Sequence, residues 1–181
     1  MRDGTWQSLA AYELRRIESE LTAALAGLAE DLLDTPVRGF PNPIGWTAWH
    51  ISRNVDRNCS ELTGRPQQWL EGWSDVFGRL ADPADTGFGH TAEQVAGFCS
   101  PSVEVLLGYH AAAHAVAEDY LANAPDDDAT RLVTSPTLGN TYPVQVRLAR
   151  SVHDAVAHLG QISVLRHLAA SPGRPAAGAL A

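Results

Sequence analysis

The sequence predicts an all-α fold, a four-helix bundle whose long irregular connections carry a short extra helix. Three observations predict it. Alanine and leucine dominate the chain and β-branched runs are scarce, a composition that favours helices. Four long segments repeat apolar residues at the three- and four-residue steps of an amphipathic helix. No two segments read as paired strands.

The first helix is expected from about Trp6 to Leu33, with Leu9, Leu14, Ile17, Leu21, Leu25, Leu28 and Leu32 forming one apolar stripe. The stretch "DTPVRGFPNP" then breaks it with three prolines and a glycine. A second helix opens at "NPIGW", where Asn42 can cap and Pro43 suits the first helical position. It is expected to stop near Gly64. From Arg65 to Gly89 the chain is irregular and rich in Trp, Asp, Pro and Gly. "HTAEQVAGF" reads as the short extra helix, with Thr91 and Gln94 as a capping box. The third long helix has Ser100 as its cap and Pro101 just inside. "PDDDATRLVTSPTLGNTYP" is a second irregular connection, and the fourth helix runs from near Pro143 to about Ala170. Connections of this length are usually walls or lids of a site.

The bulk properties narrow the function classes. A chain of 181 residues is long enough for one domain with a real core, expected over residues 1–170. Residues 171–181, rich in Pro, Gly and Ala, read as a disordered tail. The net charge of −8, without a Lys/Arg block, argues against an electrostatic grip on nucleic acid. No apolar run reaches the ~18–20 residues of a membrane span, and the first ten residues lack the apolar stretch of a signal peptide. A cytoplasmic protein is expected. Cys59 and Cys99 are far apart and form no CxxC motif, so no disulfide framework is implied.

The chemistry centres on "SVHDAVAHLGQISVLRHL". Asp154 and His158 are four residues apart, on one helix face, and Gln161 and Leu165 extend it. A carboxylate and an imidazole so spaced can grip a metal ion from a bundle core. His153 is one residue out of step and points about 100° away. A third ligand must come from another helix, and His50, mid-helix in "GWTAWHISRNV", is the candidate. Three protein ligands leave a position open for water or substrate. The plainer alternative is that His158 only bonds Asp154 within its own helix while His50 sits at the bundle surface. His110 and His114, also four apart, form a competing pair without a nearby carboxylate; a half-exposed seam suits them as well. Cys59, nine residues after His50, falls on the opposite side of that helix and reads as a small core residue. Trp46, Trp49 and Trp73 could line a pocket or simply fill the core.

"NPIGWTAWHISRNVD" resembles the second-helix signature of the DinB/YfiT-like superfamily, in which an aromatic-rich "GW..WH" segment supplies a histidine metal ligand. "DAVAHLGQISVLRHL" resembles its fourth-helix signature, matching at Gly160, Gln161, Leu165 and Arg166. "WLEGWSDVFG" and "TGFGHTAEQVAGF" resemble connecting segments of the same superfamily. The resemblance implies a four-helix bundle, often a homodimer, holding a divalent metal near one end through His50, Asp154 and His158. Zinc is the expected metal, with nickel or iron as alternatives. Asp154 departs from the histidine common there, and the mycothiol-dependent maleylpyruvate isomerase branch has glutamate, one methylene longer. The implied activity is a metal-dependent S-transferase or isomerase that activates a thiol or water and acts on a small molecule. A low-molecular-weight thiol such as mycothiol is then a second cofactor. Asn54 and Arg57 are the candidate catalytic residues, meeting polar or carboxylate groups of the substrate, although Arg57 also reads as a solvated charge near the helix end. Trp46 and Trp49 are the candidate cofactor-binding wall. The alternative is a non-catalytic, dimeric metal- or ligand-binding bundle with a stress or regulatory role.

Overall fold

Helix α1 (Trp6–Leu25) starts at Thr5, whose hydroxyl accepts from the Ser8 amide while the Ser8 hydroxyl accepts from the Thr5 amide, a reciprocal cap that satisfies two otherwise orphaned donors. The computed structural model describes residues 4–37 and 39–169, so the expected tail at 171–181 lies outside the described residues. Leu14, Ile17, Leu21 and Leu25 are buried as the stripe requires, but Leu9 is 64% exposed. The helix ends at Leu25, not Leu33. Gly27, at φ +66, turns the chain out of the helix, and Glu30–Leu32 form a separate 3-10 turn. Leu28 and Leu32 keep the helical period in sequence after the backbone has left the helix.

Helix α2 (Ile44–Thr63) is entered through Pro43, which sits at the cap position with extended backbone and no side-chain cap bond. The expected Asn42 cap is therefore displaced by one residue. Gly64 closes the helix at φ 72. Between residues 65 and 102 lie the short helices α3 (Trp73–Val76) and α4 (Ala92–Ala96), the latter opened by the expected Thr91–Gln94 capping box. Helix α5 (Val103–Asn123) is capped by Ser102. Ser100 instead bonds Asp34 through its amide and hydroxyl, at 2.9 and 2.6 Å, pinning this connection to the one after α1. After α5, strands β1 (Leu132–Thr134) and β2 (Thr141–Pro143) pair antiparallel, with Val133 opposite Tyr142. Helix α6 (Val144–Ala169) follows at once. The hairpin corrects the expectation of no strand pairs. Three-residue strands are too short to show an alternating pattern.

The four long helices form the expected bundle. Helix α1 packs against α5 and α6, and so does α2, giving the order α1–α5–α2–α6 around the core. Helices α2 and α6, which carry the candidate ligands, are therefore neighbours.

Every residue of α2 from Ile44 to Cys59 is buried, because the bundle takes one side and the 65–102 connection covers the other. Its polar residues then anchor that covering. Asp56 accepts from the Gln68 and Trp69 amides and from the Tyr109 hydroxyl, each at 2.8 Å. Arg53 donates to the Asp85 carbonyl at 2.8 Å and lies 4.7 Å over the Trp69 ring. Pairing and hydrogen bonds of this kind offset the cost of burying these two charges. At the far end of α2, Glu61 meets Arg147 of α6, both nearly fully buried. Glu61 also accepts from Ser135 and Arg147 donates to the Val133 carbonyl, so one ion pair clamps the hairpin to two helices.

Candidate metal centre

Helix geometry sets Asp154 and His158 one turn apart on α6, and packing brings His50 of α2 to face them. One ligand atom from each of the three falls within 4.8 Å of the other two. Asp154 Oδ2 is 3.5 Å from His50 Nε2, and Oδ1 is 3.7 Å from His158 Nε2. The two imidazoles stand edge to face at 4.7 Å. Bonds of ~2.0–2.2 Å to a tetrahedral ion put donors about 3.3–3.6 Å apart, within a few tenths of an ångström of the two carboxylate–imidazole separations; one atom from each residue, within 4.8 Å of one another, would draw in to close on a single ion.

The outer contacts decide the protonation of the rings. His50 Nδ1 lies 2.5 Å from the Thr86 carbonyl, and His158 Nδ1 lies 2.9 Å from Gln161 Oε1. Both partners are acceptors, so each Nδ1 carries the proton and each Nε2 turns a lone pair toward Asp154. Two lone pairs and a carboxylate facing one another are reconciled by a cation. The residues present thus fit a divalent metal, and the His/Asp/His cluster could hold one.

Asp154 is held from behind. Asn54 Nδ2 donates to its Oδ2, while Asn58 Nδ2 donates to Asn54 Oδ1 and Ser151 reaches the same oxygen. Burial pushes the Asp154 carboxyl up, but the neighbouring His50 imidazole, the Asn54 amide and His158 outweigh it and leave its pKa below the usual value. Asp154 is therefore an ionised ligand at neutral pH.

His50 is fixed on two sides. The Trp46 ring stacks on it at 5.1 Å, only 7° from parallel. Behind both, Gly87 at φ +86 lets the 85–90 loop press in; a Cβ there would lie 2.7 Å from Trp46 and 3.1 Å from His50 Nδ1. Trp46 Nε1 donates to His90 Nδ1, and His90 in turn bonds Asp85, which also takes two bonds from Arg79. Trp49 is fully buried against Trp69, Phe98 and His90.

Beside the triad opens a cavity of ≈ 350 Å³. His50, Asn54, Arg57 and Asp154 line it from the helices, Thr86 and Phe88 from the first connection, and Leu138, Asn140 and Tyr142 from the hairpin region. Trp46 and Trp49 are absent from its lining; they back His50 rather than face the cavity. Arg57 is not a solvated helix-end charge but buried, 9% exposed, because the hairpin and α6 close over it.

The competing histidines go elsewhere. His110 and His114 are buried, not a half-exposed seam. His110 Nδ1 meets Ser52 Oγ, and His114 Nδ1 lies 3.2 Å from Glu18. Burial, with His114 alongside, pushes His110 down to about 3, so it stays neutral. His153 is exposed and outside the cluster, as its phase requires. Cys59 is a core residue whose thiol burial pushes up to about 12, which makes it inert.

Sequence reasoning did not find Thr86, Gly87, Asn58, Ser151 or Arg147. The glycines flanking Phe88 signal a tight turn, but nothing local says which histidine that turn reaches.

The sequence matches the profile of the DinB superfamily over residues 13–162. The crystal structure of a conserved protein from Enterococcus faecalis is similar, with a TM-score of 0.80 and 25% identity over 94% of this chain and 98% of that one. No curated protein matches the chain.

Proposed function

Because the chain belongs to the DinB superfamily, we propose that it is a metal-dependent enzyme acting on a small molecule, a thiol-dependent S-transferase or isomerase. One observation carries the reading: three ligands converge, two lone pairs and an ionised carboxylate, and two of them, His50 and Asp154, line a cavity of ≈ 350 Å³, within the size range of small-molecule sites. A divalent metal bound there, zinc in the first instance, supplies Lewis acidity that favours the deprotonated form of a thiol or water at neutral pH.

The protein's own residues prepare that chemistry. His50 and His158 present Nε2, each held in one tautomer by its Nδ1 bond. Asp154 supplies the negative charge. Asn54 is a positioning residue acting through Asp154, and Arg57 faces the substrate. The second cofactor, a thiol such as mycothiol, enters the cavity past its exposed lining residues Phe88 and Leu138. Trp46 and Trp49 support His50 instead of touching that cofactor.

A homodimer is part of the proposal. Val146, Val156, Val164 and Leu168 leave an exposed apolar face along α6, and light scattering of the purified chain checks it. A cytoplasmic location is also part of the proposal; no helix among the described residues is long and apolar enough to cross a membrane.

The test is the metal content of the purified protein beside a His158→Ala variant, followed by a panel of thiols with electrophilic acceptors. Stoichiometric metal in the parent, lost in the variant, and metal-dependent turnover with one thiol are expected. Equal, near-zero metal in both would sink the triad. Metal without turnover for any thiol favours the second reading, a non-catalytic binding bundle. That reading has one observation of its own: the Asn54 amide already satisfies Asp154 without any ion.

A further inference from the structure

Arg57 is the cavity's unanswered charge. Its Nε is buried without a hydrogen-bond partner, and among the described residues no carboxylate pairs with its guanidinium. The other charged groups nearby are spoken for. Arg147 is neutralised by Glu61 and further bonded to Asn58, Asn140 and the Val133 carbonyl. Asp154 is turned to the two histidines and Asn54. Asn54 and Asn58 bond each other. Arg150 is exposed at the mouth, 5.0 Å over the Tyr142 ring.

The wall of the cavity therefore carries three arginines against one aspartate, in a chain whose net charge is −8. A guanidinium whose Nε is sealed from water without a partner is costly, and burial accordingly lowers the pKa of Arg57, with Glu61 offsetting only part of it. A single planar cation with no partner matches a single planar anion, since the guanidinium fork takes both oxygens of a carboxylate at once. A phosphate dianion would need a second cation, and the one without a carboxylate partner, Arg150, is exposed at the mouth, while the extra charge would face Asp154 across a small cavity.

We propose that the cavity binds small organic acids, with the ligand carboxylate paired to Arg57 and the rest of the molecule reaching toward the His50–Asp154–His158 end. Arg57 follows His50 by seven residues on α2, about 10 Å of helix axis, so the carboxylate and the reacting end lie several bonds apart. This rests on reading the cavity as the substrate chamber of the triad.

The experiment uses metal-free, chelator-treated protein, where no carboxylate can be captured by a metal; failure of the metal reading therefore leaves it intact. Butyrate and benzoate, beside butyramide and benzamide, are titrated into the ¹⁵N-labelled chain while the Arg57 Nε–H resonance is followed. That resonance is assigned by its loss in Arg57→Gln. The acids are expected to shift it at about tenfold lower concentration than the amides. By ligand-observed NMR, the acid preference vanishes in Arg57→Gln, weakens in Arg57→Lys, which keeps charge but loses the fork, and persists in Arg150→Gln. Should Arg57→Gln fail to fold, Arg57→Lys decides. Acids and amides acting alike, no shift with any acid up to about 50 mM, or a preference undiminished by the Arg57 changes would each overturn the proposal.

Discussion

Replacing Gly87 by alanine tests whether the first connection really sets the geometry of His50. The added Cβ would lie 2.7 Å from Trp46 Cζ2, 3.0 Å from Trp49 Cζ3 and 3.1 Å from His50 Nδ1, where carbon atoms prefer ~3.5–4.0 Å. Both tryptophans are buried, rigid rings that cannot swing aside. Overpacking of this kind costs about 1–3 kcal/mol, and the φ of +86 adds ~1–2 kcal/mol for any L side chain. Gly78 is the control: it has φ +61 but nothing within 4 Å of its Cβ, so Gly78→Ala meets the backbone penalty alone. Urea denaturation of both variants beside the parent should therefore place Gly87→Ala about 1–3 kcal/mol below Gly78→Ala. Metal titration should show a ~10–100-fold loss of affinity in Gly87→Ala only, because the Thr86 bond to His50 is displaced. If the two variants match in stability and in metal affinity, the connection does not position the histidine as argued.

Stability should also fall in mild acid through His110. Its folded pKa near 3 lies below the ordinary ~6.5, so the unfolded chain binds the extra proton between those values. The contribution is complete above pH ~6.5 and drains away as pH drops, about 2 kcal/mol between pH 7 and pH 5; His110→Gln should lose that part of the pH dependence in paired urea titrations. Arg147→Met leaves Glu61 buried and uncompensated, at a cost of ~3–5 kcal/mol, whereas the double change Arg147→Met with Glu61→Leu should recover most of it; thermal melts by circular dichroism read both. Asn54→Ala frees Asp154 from its positioning bond, and metal affinity should fall ~10–100-fold while the melting curve of the metal-free protein shifts little.

The pair Asp154 and His158 was legible because four residues along a helix fix a shared face without any tertiary knowledge. His50 was reachable from its awkward place among aromatic residues, together with the family signature, though only packing shows that α2 and α6 are neighbours. What failed failed for want of long-range information. Arg57 reads as a solvated charge near the end of α2, and it is buried because distant segments of the chain lie over it. The leucine period runs past Leu25, so Gly27 had to be weighed against Leu28 and Leu32, and the period misled. Ser100 has the chemistry of a cap, but Asp34 claims it and leaves the role to Ser102. The three-residue strands have no pattern to read, and the Glu61–Arg147 pair that clamps their hairpin joins residues far apart in the chain.

Helix α2 grips both cavity walls near their roots, the first connection through Arg53 and Asp56 and the hairpin through Glu61, whereas Phe88 and Leu138 at the rim are exposed. Change is therefore unequally tolerated. Substitutions at the rim can reshape what the chamber admits without disturbing the ligands, while a substitution at an anchor unseats a whole wall. The chamber's shape at its rim is thus set apart from the bonds that hold its walls in place.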